Sequence, residues 1–188
     1  MELETPRLRI DALHLSDAAA LFGYRSLPEV AKYQNWWPET VDEVERFIRN
    51  QSRLLAPAPG QWFQRAIRWR DDGALIGDLA FCLSDDGQAE FGINLAASHQ
   101  GKGLAREALQ AVLERLFGAM GVHRAHCSVD PRNLPSMALM RSLGLRQEAH
   151  FHESLRFRGE WVDDVIFAML AREWRARMAE SADEAASR

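Results

Sequence analysis

Polar and apolar positions alternate through Arg7-Leu8-Arg9-Ile10-Asp11, and Ser16-Asp17 precedes the apolar run Ala18-Ala19-Ala20-Leu21-Phe22. The pattern predicts a short strand feeding a helix capped by Ser16. Thr40 with Glu43 three residues on has the spacing of a capping box, and Val44, Phe47, Ile48, Leu54 and Leu55 keep one face of the helix that follows, up to Ala56-Pro57-Ala58-Pro59-Gly60. Three strands are then predicted, Trp62 to Trp69, Ala74 to Leu83 and Gln88 to Leu95, with turns at Asp71-Asp72-Gly73 and Asp85-Asp86-Gly87. From Gly103 the period becomes helical, with Leu104, Ala108, Leu109, Val112, Leu113, Leu116 and Phe117 on one side, ending at Gly118 and Gly121. A strand at Arg124 to Val129 and a short helix from Pro135 to Leu143, stopped by Gly144, come next. Two last strands, Arg146 to Phe157 and Val162 to Leu170, turn at Arg158-Gly159-Glu160, and the alanine-rich polar stretch from Arg172 is expected to fray.

The order β, α, α, β, β, β, α, β, α, β, β predicts an α/β (α+β) fold with one mostly antiparallel sheet. It divides the chain into a single domain over residues 1–172 and a C-terminal tail over 173–188. Composition narrows this further. The chain of 188 residues is 47% apolar and 27% charged, enough to bury the core of one domain and too apolar for a disordered chain. The 23 basic residues against 27 acidic ones give a net charge of −4, so no nucleic acid or anionic membrane is expected as a partner, and a cationic one is weakly favoured. Cys82 and Cys127 lie 45 positions apart in apolar stretches and form neither a metal cluster nor a disulfide framework, which suits a reducing, cytoplasmic setting. Neither a signal peptide nor a membrane span is expected, and no metal site is predicted.

The candidate chemistry concentrates in Glu90 to Ala105. A strand there enters a glycine-bearing turn that opens straight into an amphipathic helix, bringing several backbone N–H groups and a positive helix end to one place where an anion can sit. A nucleoside-triphosphate loop would need Ser or Thr after Lys102, where Gly103 stands. A dinucleotide fingerprint would need glycine at the position of Arg106.

The spacing that does fit is Gln-x-x-Gly-x-Ala, as Gln100-Gly101-Lys102-Gly103-Leu104-Ala105. With it the chain resembles the GNAT superfamily of acetyl-CoA-dependent N-acetyltransferases. The opening Thr5-Pro6-Arg7-Leu8-Arg9-Ile10, the pair Asn133 and Ser136 ahead of Ser142-Leu143-Gly144-Leu145, and the closing Gly159-Glu160-Trp161-Val162-Asp163-Asp164 resemble the RimJ/RimL type, which acetylates ribosomal-protein N-termini. The resemblance spans residues 3 to 172. It implies a central sheet with one splayed pair of strands, flanked by helices. It also implies that the backbone of Ile93, Asn94 and Leu95 pairs with the pantetheine arm, and that the N–H groups of Gly101, Lys102, Gly103, Leu104 and Ala105 hold the pyrophosphate, with Lys102 adding charge at the rim. Asn133 would bond the pantetheine or simply cap the next helix, two roles that are compatible. Similar proteins are often homodimers.

Acetyl transfer needs an amine with a free lone pair, against ammonium pKa values of ~10 for alkyl amines and ~8 for N-termini. It also needs a polarised thioester carbonyl, for which the backbone N–H near Leu95 is a candidate, and a proton for the departing thiolate. The resemblance implies that proton donor to be a tyrosine in many members, but Met140 stands at that position and the chain's two tyrosines, Tyr24 and Tyr33, lie far upstream. Ser136 is the alternative acid, its plainer role being that of a helix-start serine. Glu90 is the candidate base, on the same strand face as Gly92 and Asn94. Asp78, His99, His150, His152 and an ordered water are alternatives, and a solvated strand carboxylate is the plainer role of Glu90. Trp36 and Trp37 fall in the segment that closes over acceptors in this family, so they are candidate substrate-binding residues, against ordinary core packing. The expected function is transfer of the acetyl group of acetyl-CoA to a primary amine by direct attack in a ternary complex. The acceptor would be a peptide N-terminus, a polyamine, an aminoglycoside or another small amine. The competing readings are a non-catalytic acyl-CoA sensor of the same fold and an unrelated phosphate-binding domain.

Overall fold

Alternation in the opening segment produces two short strands, β1 (Leu3–Glu4) and β2 (Leu8–Asp11), in a computed structural model that describes residues 1–186, with side chains through Glu180. The helix predicted after them is α1 (Ala18–Arg25), but Ser16 does not cap it. A 3-10 turn at Leu15–Asp17 comes first, and the Asp17 carboxylate accepts from the His14 amide at 2.7 Å. Asp17 is held there because its carboxylate and that of Asp11 also clasp Arg68. A one-turn helix α2 (Pro28–Ala31), too short to show a period, precedes α3 (Val41–Gln51). Thr40 Oγ1 accepts from the Glu43 amide, as the capping box requires, while the Glu43 carboxylate accepts from the Glu39 amide instead of closing back on Thr40.

The predicted meander is β3 (Trp62–Trp69), β4 (Leu75–Leu83) and β5 (Gln88–Leu95). It is followed by α4 (Leu104–Phe117), β6 (Arg124–Val129), α5 (Leu134–Ser142), β7 (Arg146–Phe157) and β8 (Glu160–Leu170). One eight-stranded sheet results, in the order β1-β2-β3-β4-β5-β6-β8-β7, antiparallel except for the parallel pair β5 and β6.

The stretch expected to fray is instead a helix, α6 (Ala171–Ala186); the last two positions of the expected tail, 187–188, lie outside the described residues. The helix is held by Trp174, which is buried and lies with its ring 5.9 Å from that of Phe117. A single tryptophan in a polar, alanine-rich stretch is a weak periodic signal, and tertiary burial rather than local pattern orders this segment. The core lies in two parts. The larger packs Leu104, Leu109, Val112, Leu113 and Leu116 of α4 against sheet residues such as Ile67, Phe81 and Phe167. The smaller packs α1 and α3 against Ala66 of β3 through Leu21, Val44 and Ile48.

Candidate active site

The slot expected in the sheet is present. β5 pairs with β4 from Leu83↔Ala89 to Gly77↔Leu95. With β6 it pairs at only three positions, Gln88↔Arg124, Ala89↔Ala125 and Glu90↔His126. β6 meanwhile stays paired with β8 from Arg124↔Leu170 to Val129↔Val165. Each diverging strand is thus fixed on its far side, so the opening after Glu90 is set by hydrogen bonding elsewhere in the sheet.

At the end of β5 the chain turns through a 3-10 segment, Ala97–His99, and Gln100 Nε2 donates to the Leu95 carbonyl at 2.9 Å, closing the loop on itself. Gly101 and Gly103 then take φ of +71° and +75°, a region that strains residues with a Cβ. No atom lies within 4 Å of a Cβ built on Gly101, so the space above the loop is open. Gly103 is the N-cap of α4, and Leu104, 1% exposed, anchors its first turn in the core. The opening Thr-Pro-Arg segment latches this turn. Glu107 of α4 accepts from the Thr5 hydroxyl at 2.6 Å and pairs with Arg7 at 2.6 Å, while Arg7 also donates to the Lys102 carbonyl at 3.1 Å. Burial pushes the Glu107 carboxyl up, but the Thr5 and Arg7 hydrogen bonds outweigh it and leave the pKa below its ordinary value.

A cavity of about 660 Å³ opens over this turn. Ile93, Asn94, Leu95, Gln100, Gly101, Gly103, Leu104, Ala105, Asn133 and Ser136 line it. Lys102 is exposed and outside the lining; Arg106 and Arg132, neither of them among the expected site residues, line it instead, Arg132 with its guanidinium paired to Asp130 at 2.6 Å. Arg106 could have been found from its place in the first turn of the helix, three residues after Gly103.

On the other side of the slot lies a second cavity, of about 750 Å³, walled by Trp36, Phe47, Trp62, Glu90, Phe157 and Asp163 among others. Trp36 is half-buried, stacked on Phe47 with ring centroids 4.4 Å apart. Trp37 does not line the cavity: it is exposed and lies under the Arg158 guanidinium at 4.6 Å. The second tryptophan of the wall is Trp62, at the start of β3. Glu90 is half-buried, and burial first, then the charge of Asp164, raises its pKa above its ordinary value. Cys127 also borders this cavity, but its thiol is 3% exposed and is pushed up to about 12, by burial first and then by Glu90 and Asp164. Such a thiol is not a nucleophile at neutral pH.

The two cavities share Tyr33, Gln34, Ile93, Asn94, Asn133 and Ser136. Asn133 is the N-cap of α5, its Oδ1 accepting from the Ser136 amide at 3.2 Å, so the cap of this helix is the asparagine and the Ser136 hydroxyl is not needed for it. The alternative bases separate clearly. Asp78, 1% exposed, accepts from Tyr24 Oη at 2.5 Å and is clasped by Arg25 and Gln64. Held by these three partners, Asp78 is the counter-ion of Arg25 in a buried cluster. His99 sits edge-on to Trp69, and His150 and His152 both contact Asp163; none of the three lines either cavity.

Residues 7–146 match the family model for the acetyltransferase (GNAT) domain. The chain belongs to the GNAT acetyltransferase family. This acetyltransferase is 33% identical over 175 residues to the N-acetyltransferase p20 of Bacillus licheniformis, covering 92% of this chain and 97% of that one. It is 31% identical over 182 residues to the ribosomal protein uS5-alanine N-acetyltransferase of Escherichia coli, covering 93% of each. A GNAT-family acetyltransferase structure from Bacillus anthracis superposes with a TM-score of 0.83 at 26% identity, over 92% of this chain and all of that one. GNAT acetyltransferases use acetyl-CoA, and the open, glycine-built turn at a helix N-terminus, flanked by Arg106 and Arg132, suits its phosphates. Among the described residues no helix is long and apolar enough to cross a membrane.

Proposed function

We propose that this acetyltransferase moves the acetyl group of acetyl-CoA directly to the α-amine of a protein or peptide, in a ternary complex. The observation that carries this reading is the wall common to the two cavities: Ile93, Asn94, Asn133 and Ser136 border both, so a donor in one and an acceptor in the other meet across the slot. The inert state of the Cys127 thiol argues against a covalent acetyl-cysteine on the way.

In this reading the N–H groups of Gly101 to Ala105 and the positive end of α4 hold the pyrophosphate, and the unpaired edge of β5 from Ile93 to Leu95 receives the pantetheine arm as an added strand. The Leu95 N–H polarises the thioester carbonyl. Glu90 takes a proton from the amine, directly or through a water, as the nitrogen attacks the carbonyl carbon. The carbon–sulfur bond breaks, and the Ser136 hydroxyl passes a proton to the departing thiolate while taking one from solvent, so that no alkoxide is left behind. An α-amine suits Glu90 better than an alkyl amine does, because a carboxylate is less mismatched to an ammonium of pKa ~8 than to one of ~10. The E. coli relative, similar over nearly the whole chain, is named for acting on a ribosomal-protein alanine, which supports the same acceptor class. Thiol release from acetyl-CoA, measured side by side with an alanine-terminated peptide and a polyamine, tests it. Faster turnover of the peptide is expected, and turnover of the polyamine alone would overturn the acceptor assignment.

A further inference from the structure

On the β7–β8 edge of the sheet, away from the loop, three donor groups converge. His150 and His152 share a face of β7, and Asp163 stands opposite on β8. The pairing slips here. Phe151 pairs with Asp164 and Leu155 with Val162, so three residues of β7 oppose the single residue Asp163. Glu153 in the middle of this bulge takes φ of +46°, and its amide donates to Asp163 Oδ1 at 2.9 Å. That bond turns the other oxygen, Oδ2, toward both imidazoles: His150 Nε2 lies 2.7 Å from it and His152 Nδ1 3.1 Å. The three atoms all lie within 4.8 Å of one another.

We propose that His150, His152 and Asp163 form a binding site for a zinc-class divalent transition metal. Two imidazole nitrogens and one carboxylate oxygen are the donor types such ions favour, and tetrahedral binding at about 2.0–2.2 Å per ligand calls for separations of roughly 3.3 Å. The nitrogen-to-oxygen spacings of 2.7 and 3.1 Å reach that with outward movements of about 0.6 and 0.2 Å, and the two imidazole nitrogens, within 4.8 Å of each other, would draw together. Neutral imidazoles offer their lone pairs to the metal in place of the N–H bonds they now give to Oδ2. The backbone bond from Glu153 fixes the carboxylate from outside, the role an outer-shell partner plays in metal sites. Three protein ligands leave one position open on the solvent side. Asp163 also lines the acceptor-side cavity, so loading would replace a carboxylate at its rim by a net positive charge.

The test is equilibrium dialysis of the tag-free protein against Zn2+, with Co2+ absorption as a spectroscopic check on coordination. One ion per chain is expected, with a visible cobalt band. The His150→Ala/His152→Ala double variant and, separately, Asp163→Asn should lower Zn2+ affinity about 100-fold or more, at least the scale known for loss of an outer-shell partner. Melting curves on both variants establish that they are folded; His150 and His152 are exposed on the edge strand β7, and Asp163 is half-buried on β8. No stoichiometric binding by the native protein, or binding undiminished in both variants, would overturn the site. Neither result decides whether the protein transfers acetyl groups, which is measured separately.

Discussion

The two cavities on either side of the slot are built differently. The loop-side cavity is built on one consecutive stretch that carries two glycines at positive φ, a helix N-terminus and a strand edge left unpaired once β6 departs, with residues of α2 and α5 closing its other walls. Much of its lining comes from one stretch of chain between Ile93 and Arg106. The acceptor-side cavity is made of side chains from distant segments, with Trp36, Trp62, Glu90 and Phe157 among them, and it stands on a buried cluster of Arg25, Asp78 and Gln64. Backbone geometry can hold a donor common to a whole family, whereas scattered side chains can change one at a time and with them the acceptor.

Three substitutions probe this division. The largest effect is expected from Asp78→Ala, which leaves Arg25 buried without its counter-ion. A loss of ~3–5 kcal/mol in denaturant unfolding should follow, and a loss under about 1 kcal/mol would mean that the acceptor side does not depend on this cluster. Glu90→Gln comes next, with turnover lower by about 10²-fold and acetyl-CoA affinity unchanged. Its pH behaviour has a definite sign. Because the folded protein raises the Glu90 pKa, stability falls as pH rises from the ordinary carboxylate value through the raised one, so above that range Glu90→Gln should be at least as stable as the native protein. The low-pH limb of the rate profile, where activity grows as Glu90 ionises, should be missing from the variant. An unchanged limb would transfer the base role to water. The smallest effect is from Gly103→Val, where positive φ costs ~1–2 kcal/mol of stability. Acetyl-CoA affinity should fall while the KM for the amine does not, and equal losses on both sides would erase the distinction between the cavities.

The same division explains what the sequence disclosed. The loop was legible because glycine spacing, strand end and helix start are local and consecutive. The charge of Lys102 is conspicuous in sequence, but its side chain stands outside the cavity lining and its carbonyl serves Arg7, which spacing alone does not show. The adjacency of Trp36 and Trp37 likewise says nothing about which of the two faces the cavity, and Trp62 enters from another strand altogether. The helical tail was missed because its order comes from Trp174 packing on Phe117, a tertiary contact with no local signature. The fold order and the splayed strands needed only pattern and resemblance.

If donor and acceptor meet across the wall that contains Ser136, the hydroxyl of that residue stands where the thiolate departs. Ser136→Ala isolates its role through three readouts on one variant: turnover, acetyl-CoA affinity and the melting curve. Because Asn133 caps α5, removal of the hydroxyl should leave stability within about 0.5 kcal/mol of the native protein. Turnover should fall by about 10² or more with acetyl-CoA affinity nearly unchanged. A variant that turns over within about threefold of the native rate would contradict the assignment of Ser136 as proton donor to the departing thiolate.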